Sequence, residues 1–224
     1  MRRTLLALAL VLAVSGAQAH DDDSGKDISH INGGITAEAG HRYGDLDTVN
    51  GGITVHKAAV AGEVETVNGG ITLDDEAQVR SVETVNGGIG AGARVKVAQG
   101  AETVNGGIHF DAGSSIGGDI ETVNGGISLK NTVVGGGIST VGGDITLEDK
   151  TIVHGGIVIE KPHGMSWGKQ RIPRVIVGPG SVVEGSLRFE REVELFVDPS
   201  ARIGKVTGAT AQPYTGKLPP RRSK

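Results

Sequence analysis

Glu65-Thr66-Val67-Asn68-Gly69-Gly70-Ile71 is the stretch on which the reading of this chain turns. Its core, Asn-Gly-Gly-Ile, begins at Asn32, Asn50, Asn68, Asn86, Asn105 and Asn124, at intervals of 18, 18, 18, 19 and 19 residues. A degenerate copy, Thr140-Val141-Gly142-Gly143-Asp144-Ile145, follows in register, and Val153-His154-Gly155-Gly156-Ile157 reads as a further relic. The register outlives the Asn, so a geometry is repeated rather than one side chain.

Within each interval runs a shorter beat. Val49, Val55, Ala61, Val67, Leu73, Val79, Val85, Ala91 and Val97 recur every six residues. One extra residue enters before Val104 and another before Val123, and the beat returns at Val177, Val183, Phe189, Leu195 and Ala201. A helix would place apolar residues three and four apart, and a lone ribbon would alternate over longer runs. Short apolar stretches every six residues, grouped by threes, describe a coil with three faces and three corners. The fold expected is all-β: a triangular, single-stranded parallel β-helix, or β-solenoid, of about 18 residues per coil.

The corners carry a mechanical expectation. Gly supplies positive φ for the sharp turn, and the Asn before it tolerates a left-handed backbone. Val before the corner and Ile after it are expected to point inward. Coils stack about 4.8 Å apart, so Asn32, Asn50, Asn68, Asn86, Asn105 and Asn124 are expected to form a structural amide ladder along one corner.

Composition excludes the common explanations of so much Gly. The chain has 224 residues, 38 of them Gly, with only six aromatic residues and no Cys. Collagen needs Gly at every third position, and simple disorder is at odds with a chain that is 37% hydrophobic. The absence of Cys removes disulfides, thiol catalysis, cysteine-ligated zinc and a lipidated Cys. A narrow three-sided core also admits few aromatics.

The ends read differently from the middle. Arg2 and Arg3, the apolar run Leu5 to Val14 and Ala17-Gln18-Ala19 have the order of a secretory signal peptide, with cleavage expected after Ala19. The ten-residue apolar run is too short to span a bilayer, so no transmembrane segment is expected in the mature chain. The destination is then the bacterial periplasm or the exterior. The organisation expected is 1–19 signal peptide, 20–27 acidic tail, 28–160 solenoid, 161–175 basic Trp-containing loop, 176–206 continued solenoid and cap, and 207–224 basic disordered tail.

Candidate chemistry is sparse. Asp47, Glu65, Glu83, Glu102 and Glu121 open the repeats, so stacking lines up five carboxylates. The row reads either as a stripe that hard cations bridge or as a solvated face. The neighbouring Thr row allows a flat array that orders water or ice. Cleavage would expose His20-Asp21-Asp22-Asp23, where an amine, an imidazole and carboxylates form a metal-binding candidate. None of the seven His lies in a nucleophile or zinc-protease motif, so no catalytic residue and no cofactor is expected.

The beat breaks once, over Glu160 to Val175. Lys161, His163, Trp167, Lys169, Arg171 and Arg174 make this the candidate for binding an anionic envelope glycan, a lipid headgroup or a partner chain. The alternative is a loop that folds over the flank, with Trp167 covering apolar surface. An exported chain with one Trp and an overall acidic balance points away from nucleic acid.

Two groups share these patterns. Val177-Gly178-Pro179-Gly180-Ser181-Val182-Val183-Glu184-Gly185-Ser186-Leu187 resembles the repeat of bactofilins, polymer-forming bacterial cytoskeletal proteins. The Glu-Thr-Val-Asn-Gly-Gly-Ile repeats resemble those of adhesin-type solenoids in exported bacterial proteins. The resemblance spans most of residues 28 to 206 and implies a right-handed coil that polymerises through its ends. The signal peptide and the Asn-Gly-Gly regularity depart from bactofilins and point away from a cytoplasmic filament. Hexapeptide acyltransferases are a left-handed alternative, and the period alone does not fix handedness.

The function expected is an exported, non-enzymatic solenoid with a structural or binding role at the cell envelope. The alternatives are a filament-forming or adhesive protein that self-associates through its coil ends and, third, a glycan-acting enzyme. If the Asn row is structural, Asn86→Ala lowers the melting temperature, and an unchanged value in a thermal scan removes that role.

Overall fold

The structure, a computed structural model, describes residues 25–162, 171–216 and 219. Every regular element among them is a β-strand, and the 26 strands lie in parallel sheets of 16 and 10 strands. Each strand between the two ends pairs with its equivalents one turn before and one turn after, so the chain climbs as a β-solenoid. Ten turns are counted on the face that follows Gly-Gly.

That face carries the most regular part of the core. Ile35, Ile53, Ile71, Ile89, Ile108, Ile127 and Ile145 stand in unbroken register. Each is at most 3% exposed. Two residues further on, Ala37, Val55, Leu73, Ala91, Phe110, Leu129, Leu147 and Val177 form a second inward column. Ala91 beside Phe110 gives the one large ring in this column the volume it needs, as close packing requires.

The other two faces begin as one. Tyr43–Asn50, Val60–Asn68 and Gln78–Asn86 are long strands that run across both. In the next turn Lys96–Val97 and Ala101–Thr103 both pair with Gln78–Asn86, so the long strand has split. The extra residue is the cause: Val79 and Val82 are three positions apart, but their partners Val97 and Ala101 are four apart. The added residue makes a separate corner, formed later by Gly117-Gly118-Asp119 and Gly135-Gly136-Gly137. Val153-His154-Gly155-Gly156-Ile157 is a corner of this second kind. It is not a relic of the Asn-Gly-Gly corner, because Ile157 pairs with Ile138 rather than with Ile145.

At the Asn-Gly-Gly corner the glycines serve close approach instead of a left-handed backbone. Of the corner glycines only Gly33 has a positive φ, 111°. A Cβ at Gly51, Gly69, Gly87, Gly106 or Gly125 would overlap the carbonyl oxygen of the equivalent Gly one turn earlier. The second Gly is looser, and a Cβ at Gly70 would sit 3.3 Å from Gly88 O. Left-handed residues lie instead at the corner after the Ile face, with φ of 56° at Ala58, 66° at Glu76 and 58° at Arg94.

The side chains before the corner also depart from expectation. Val49, Val67, Val85, Val104 and Val123 are partly exposed, whereas Thr48, Thr66, Thr84, Thr103 and Thr122 point inward, at most 4% exposed. Each of these hydroxyls donates to the first Gly carbonyl of the preceding turn, Thr48 to Gly33, Thr66 to Gly51, Thr84 to Gly69, Thr103 to Gly87 and Thr122 to Gly106, at 2.8–3.1 Å. A buried carbonyl without a donor costs about 1–3 kcal/mol, enough to favour Thr over Val at the inward position.

The solenoid also runs further than the sequence pattern suggests. Ala211–Pro213 is a strand on Glu194–Val197, and Tyr214 behind it is 8% exposed. Residues 207–214 therefore cover the last turn instead of belonging to a tail. Pro213 in the outermost strand lacks an N–H for further pairing.

The two corner glycines are thus not equivalent. Gly69→Ala is expected to lower stability by about 2–4 kcal/mol, because backbone must move, and Gly70→Ala by about 1 kcal/mol or less. Urea denaturation of the two variants checks the difference.

Candidate functional site

The outward side of the acidic strands carries three parallel rows. Asp47, Glu65, Glu83, Glu102 and Glu121 stand in register, continued by Ser139, Val158 and Arg188. The partly exposed Val row lies two residues along, and the Asn row follows at the corner.

The Asn row satisfies itself. Asn50 donates from Nδ2 to Asn32 Oδ1 at 3.1 Å, and Asn68, Asn86, Asn105 and Asn124 each donate to the previous Asn at 3.0 Å. All six side chains are exposed. An amide is both donor and acceptor, so each step of the column pairs one N–H with one carbonyl oxygen, and the remaining N–H groups of these exposed side chains are left to solvent.

The carboxylate row cannot do this, because an ionised carboxylate only accepts. Partial burial, reinforced by neighbouring carboxylates, raises the pKa of Asp47, Glu83, Glu102 and Glu121. The same causes lift Glu65 from 4.5 to about 7. The adjacent acids, Asp45 and Glu63, are better served. Asp45 Oδ1 accepts from the Glu63 N–H at 2.7 Å and from Arg80 Nη2 at 3.0 Å, and Arg80 also lies 3.3 Å from Glu63 Oε1. Nothing in the repeat marked Arg80 for this part.

Two of the sequence readings change here, and a third lies beyond the described residues. The Thr row is buried, so it presents no flat array to water or ice. His20, Asp21, Asp22 and Asp23 lie outside the described residues. Among the described residues no group of three or more His, Asp or Glu is arranged to hold a metal ion, the carboxylate row included.

The basic segment is described at both of its roots. Lys161 is exposed, and its N–H donates to Glu190 Oε2 at 3.3 Å. Arg171, also exposed, forms an ion pair with Asp144. The strand resumes at Arg174, inside the expected loop, because Asp144 Oδ1 accepts the Arg174 N–H at 2.9 Å. The Arg174 guanidinium lies 5.0 Å from the centre of the Phe196 ring, with Nε 3.5 Å from Glu194 Oε2, and its side chain is only 15% exposed. Arg174 is therefore a packing residue of the solenoid and is badly placed for a partner. His163, Trp167 and Lys169 lie outside the described residues.

One residue of this root carries no sequence signal. Arg191, from the following turn, donates to Val141 O at 3.0 Å and to Arg171 O at 2.8 Å, tying the return of the segment to the body. Asp144 and Arg191 together hold the segment at the corner where the Asn ladder has ended. Among the described residues no helix is long and apolar enough to cross a membrane.

Glu65 gives the carboxylate row a pH signature. Its folded pKa of about 7 lies above the ordinary 4.5, so the folded state holds the proton more tightly than the unfolded chain. The contribution of Glu65 to stability is therefore most favourable at acid pH and is lost as pH rises from about 4.5 through about 7. Glu65→Gln is expected to raise the urea midpoint at about pH 8 and to flatten this window relative to about pH 5. No family model, curated protein or solved structure matches the chain, so the arrangement itself carries the functional reading.

Proposed function

We propose that the chain is an exported, non-enzymatic β-solenoid with a structural or binding role at the bacterial cell envelope. The observation that carries this reading is the sorting of charge along the axis. Residues 20–160 hold 21 acidic and 8 basic side chains, and residues 161–224 hold 5 and 12. Because each turn pairs only with its neighbours, sequence order is axial order among the described residues. There, 18 acidic and 8 basic side chains over 25–160 give way to 5 acidic and 7 basic over 161–162 and 171–216, so an acidic shaft ends in a weakly basic part.

The signal-like segment from Met1 to Ala19 supports export. The regularity of the turns supports a scaffold role, and the single break, rooted by Asp144 and Arg191, is where a ligand would be met. Its exposed cations Lys161 and Arg171, with Lys169, suit an anionic envelope glycan, a lipid headgroup or an acidic partner chain. Such a pole steers the molecule toward an anionic surface more than it fixes one ligand.

Self-association through the ends is the second reading. Lys26–Asn32, at the N-terminal end, pairs with one neighbour only, Tyr43–Asn50, and its other edge has no partner strand among the described residues.

The mature protein is expected to bind purified envelope fractions in a salt-sensitive manner, and the triple variant Lys161→Gln, Lys169→Gln, Arg171→Gln to lose most of that binding. Equal binding by variant and parent removes the segment from the function. Sedimentation at several concentrations separates the second reading, since a strictly monomeric protein excludes end-to-end assembly.

A further inference from the structure

The amide ladder also places six Asn-Gly peptides at the surface. Attack of a backbone nitrogen on the preceding Asn Cγ is least hindered when the following residue has no Cβ. The fold imposes that pairing. From the second corner on, the residue after each ladder Asn lies so close to the previous turn that a Cβ would overlap a carbonyl oxygen. A solenoid with Asn at this corner therefore carries Asn-Gly in every such turn.

We propose that the ladder is a directional deamidation track, which opens from its Asn124 end and is closed at its Asn32 end. In the step, the Gly nitrogen loses its proton and bonds to Cγ, the Cγ–Nδ2 bond breaks, and Nδ2 leaves as ammonia. Water then opens the cyclic imide to aspartate or isoaspartate. Amide and water become carboxylate and ammonium, and no oxidant or reductant takes part.

Ring closure requires Cγ to swing toward the Gly nitrogen. For an interior residue that motion breaks two ladder bonds. Asn68 donates to Asn50 at 3.0 Å and accepts from Asn86 at 3.0 Å, and Asn86 and Asn105 are held in the same way. Asn32 takes part only through Oδ1, and Asn124 only through Nδ2. The ends are thus held by one ladder bond each. They differ in the nucleophile: the Gly33 N–H is committed to Asn50 O at 2.9 Å, whereas the Gly125 N–H meets no backbone carbonyl among the described residues.

The direction follows from the polarity of the bonds, which all run from Nδ2 of the later turn to Oδ1 of the earlier one. An acid at position 32 still accepts from Asn50, and more strongly as an anion, so the ladder survives. An acid at position 124 cannot donate. Its oxygens face Asn105 Oδ1, that bond is lost, and Asn105 becomes the new end. Conversion therefore passes from Asn124 to Asn105 and on to Asn86, but not from Asn32 to Asn50.

The test is a time course of the full chain at alkaline pH, with and without denaturing guanidinium. Peptide mass mapping follows the amide-to-acid gain at each Asn, and enzymatic methylation follows isoaspartate. In denaturant the six sites are expected to convert at similar rates. In the folded chain Asn124 converts first, Asn105 follows, and Asn68 lags by about tenfold or more, as protection by local structure implies. Asn124→Asp is expected to raise the Asn105 rate, and Asn32→Asp to leave Asn50 unchanged. If Asn124→Asp does not fold, the order of conversion in the parent chain decides. Conversion of Asn68 as fast as Asn124, or of Asn50 after Asn32 as readily as of Asn105 after Asn124, overturns the proposal.

Discussion

The contact on which the structure rests is the seating of one corner glycine on the carbonyl of the glycine one turn below. Gly69 sits so close to Gly51 O that no Cβ fits, and the same oxygen accepts the hydroxyl of Thr66. Strand spacing in a parallel stack is about 4.8 Å, and a corner that must turn within this distance has no room for a side chain. The carbonyl at such a corner points where no backbone N–H reaches it. A buried Thr meets that need. The repeat unit is therefore a Thr, an Asn and a Gly acting together, and the Ile face follows from where that corner releases the chain.

Stacking then multiplies whatever stands at each position. A residue in this fold meets copies of itself above and below, so its self-interaction decides whether the column is favourable. Ile on Ile fills the core, and Asn on Asn pairs donor with acceptor. Glu on Glu has no such solution, and its protons are held more tightly in compensation, most at Glu65. The row ends in a different way at its upper margin. Glu121 is followed in register by Ser139, and one turn later Thr140 by Ile159, so the charge leaves its column first and the inward hydroxyl leaves the neighbouring column in the next turn.

The period, the three faces and the Asn column were legible because each leaves a fixed interval in the sequence. Which side chains face inward before the corner was not. In Val64-Glu65-Thr66-Val67 alternation allows either parity, and hydrophobicity alone favours burying Val67. The structure buries Val64 and Thr66 instead, because the deciding group is a backbone carbonyl that the side-chain pattern does not display. The corner at Val153 to Ile157 departs from the pattern for a related reason, since two glycines in sequence do not say which of three corners they form. The short strand Ala211–Pro213 has no repeat behind it and is visible only through its pairing. Of the candidate site, the location of the break was legible, but its fastening by Arg191 depends on a residue 50 positions from Val141.

The break itself shows how the fold admits an interruption. Asp144 stands two residues after the place where the next ladder Asn would fall, and the ladder stops one turn short of it, at Asn124. Ending the ladder leaves the corner without its amide partner, and Asp144 takes over by binding the Arg174 N–H and the Arg171 side chain. A carboxylate there gains two donors that an amide in the column would have had to share. The inserted segment therefore costs the stack one amide step and no core contact, because Ile145 still pairs with Val175 across it. In a fold whose turns depend on identical neighbours, that is the position where new chain can enter with least loss.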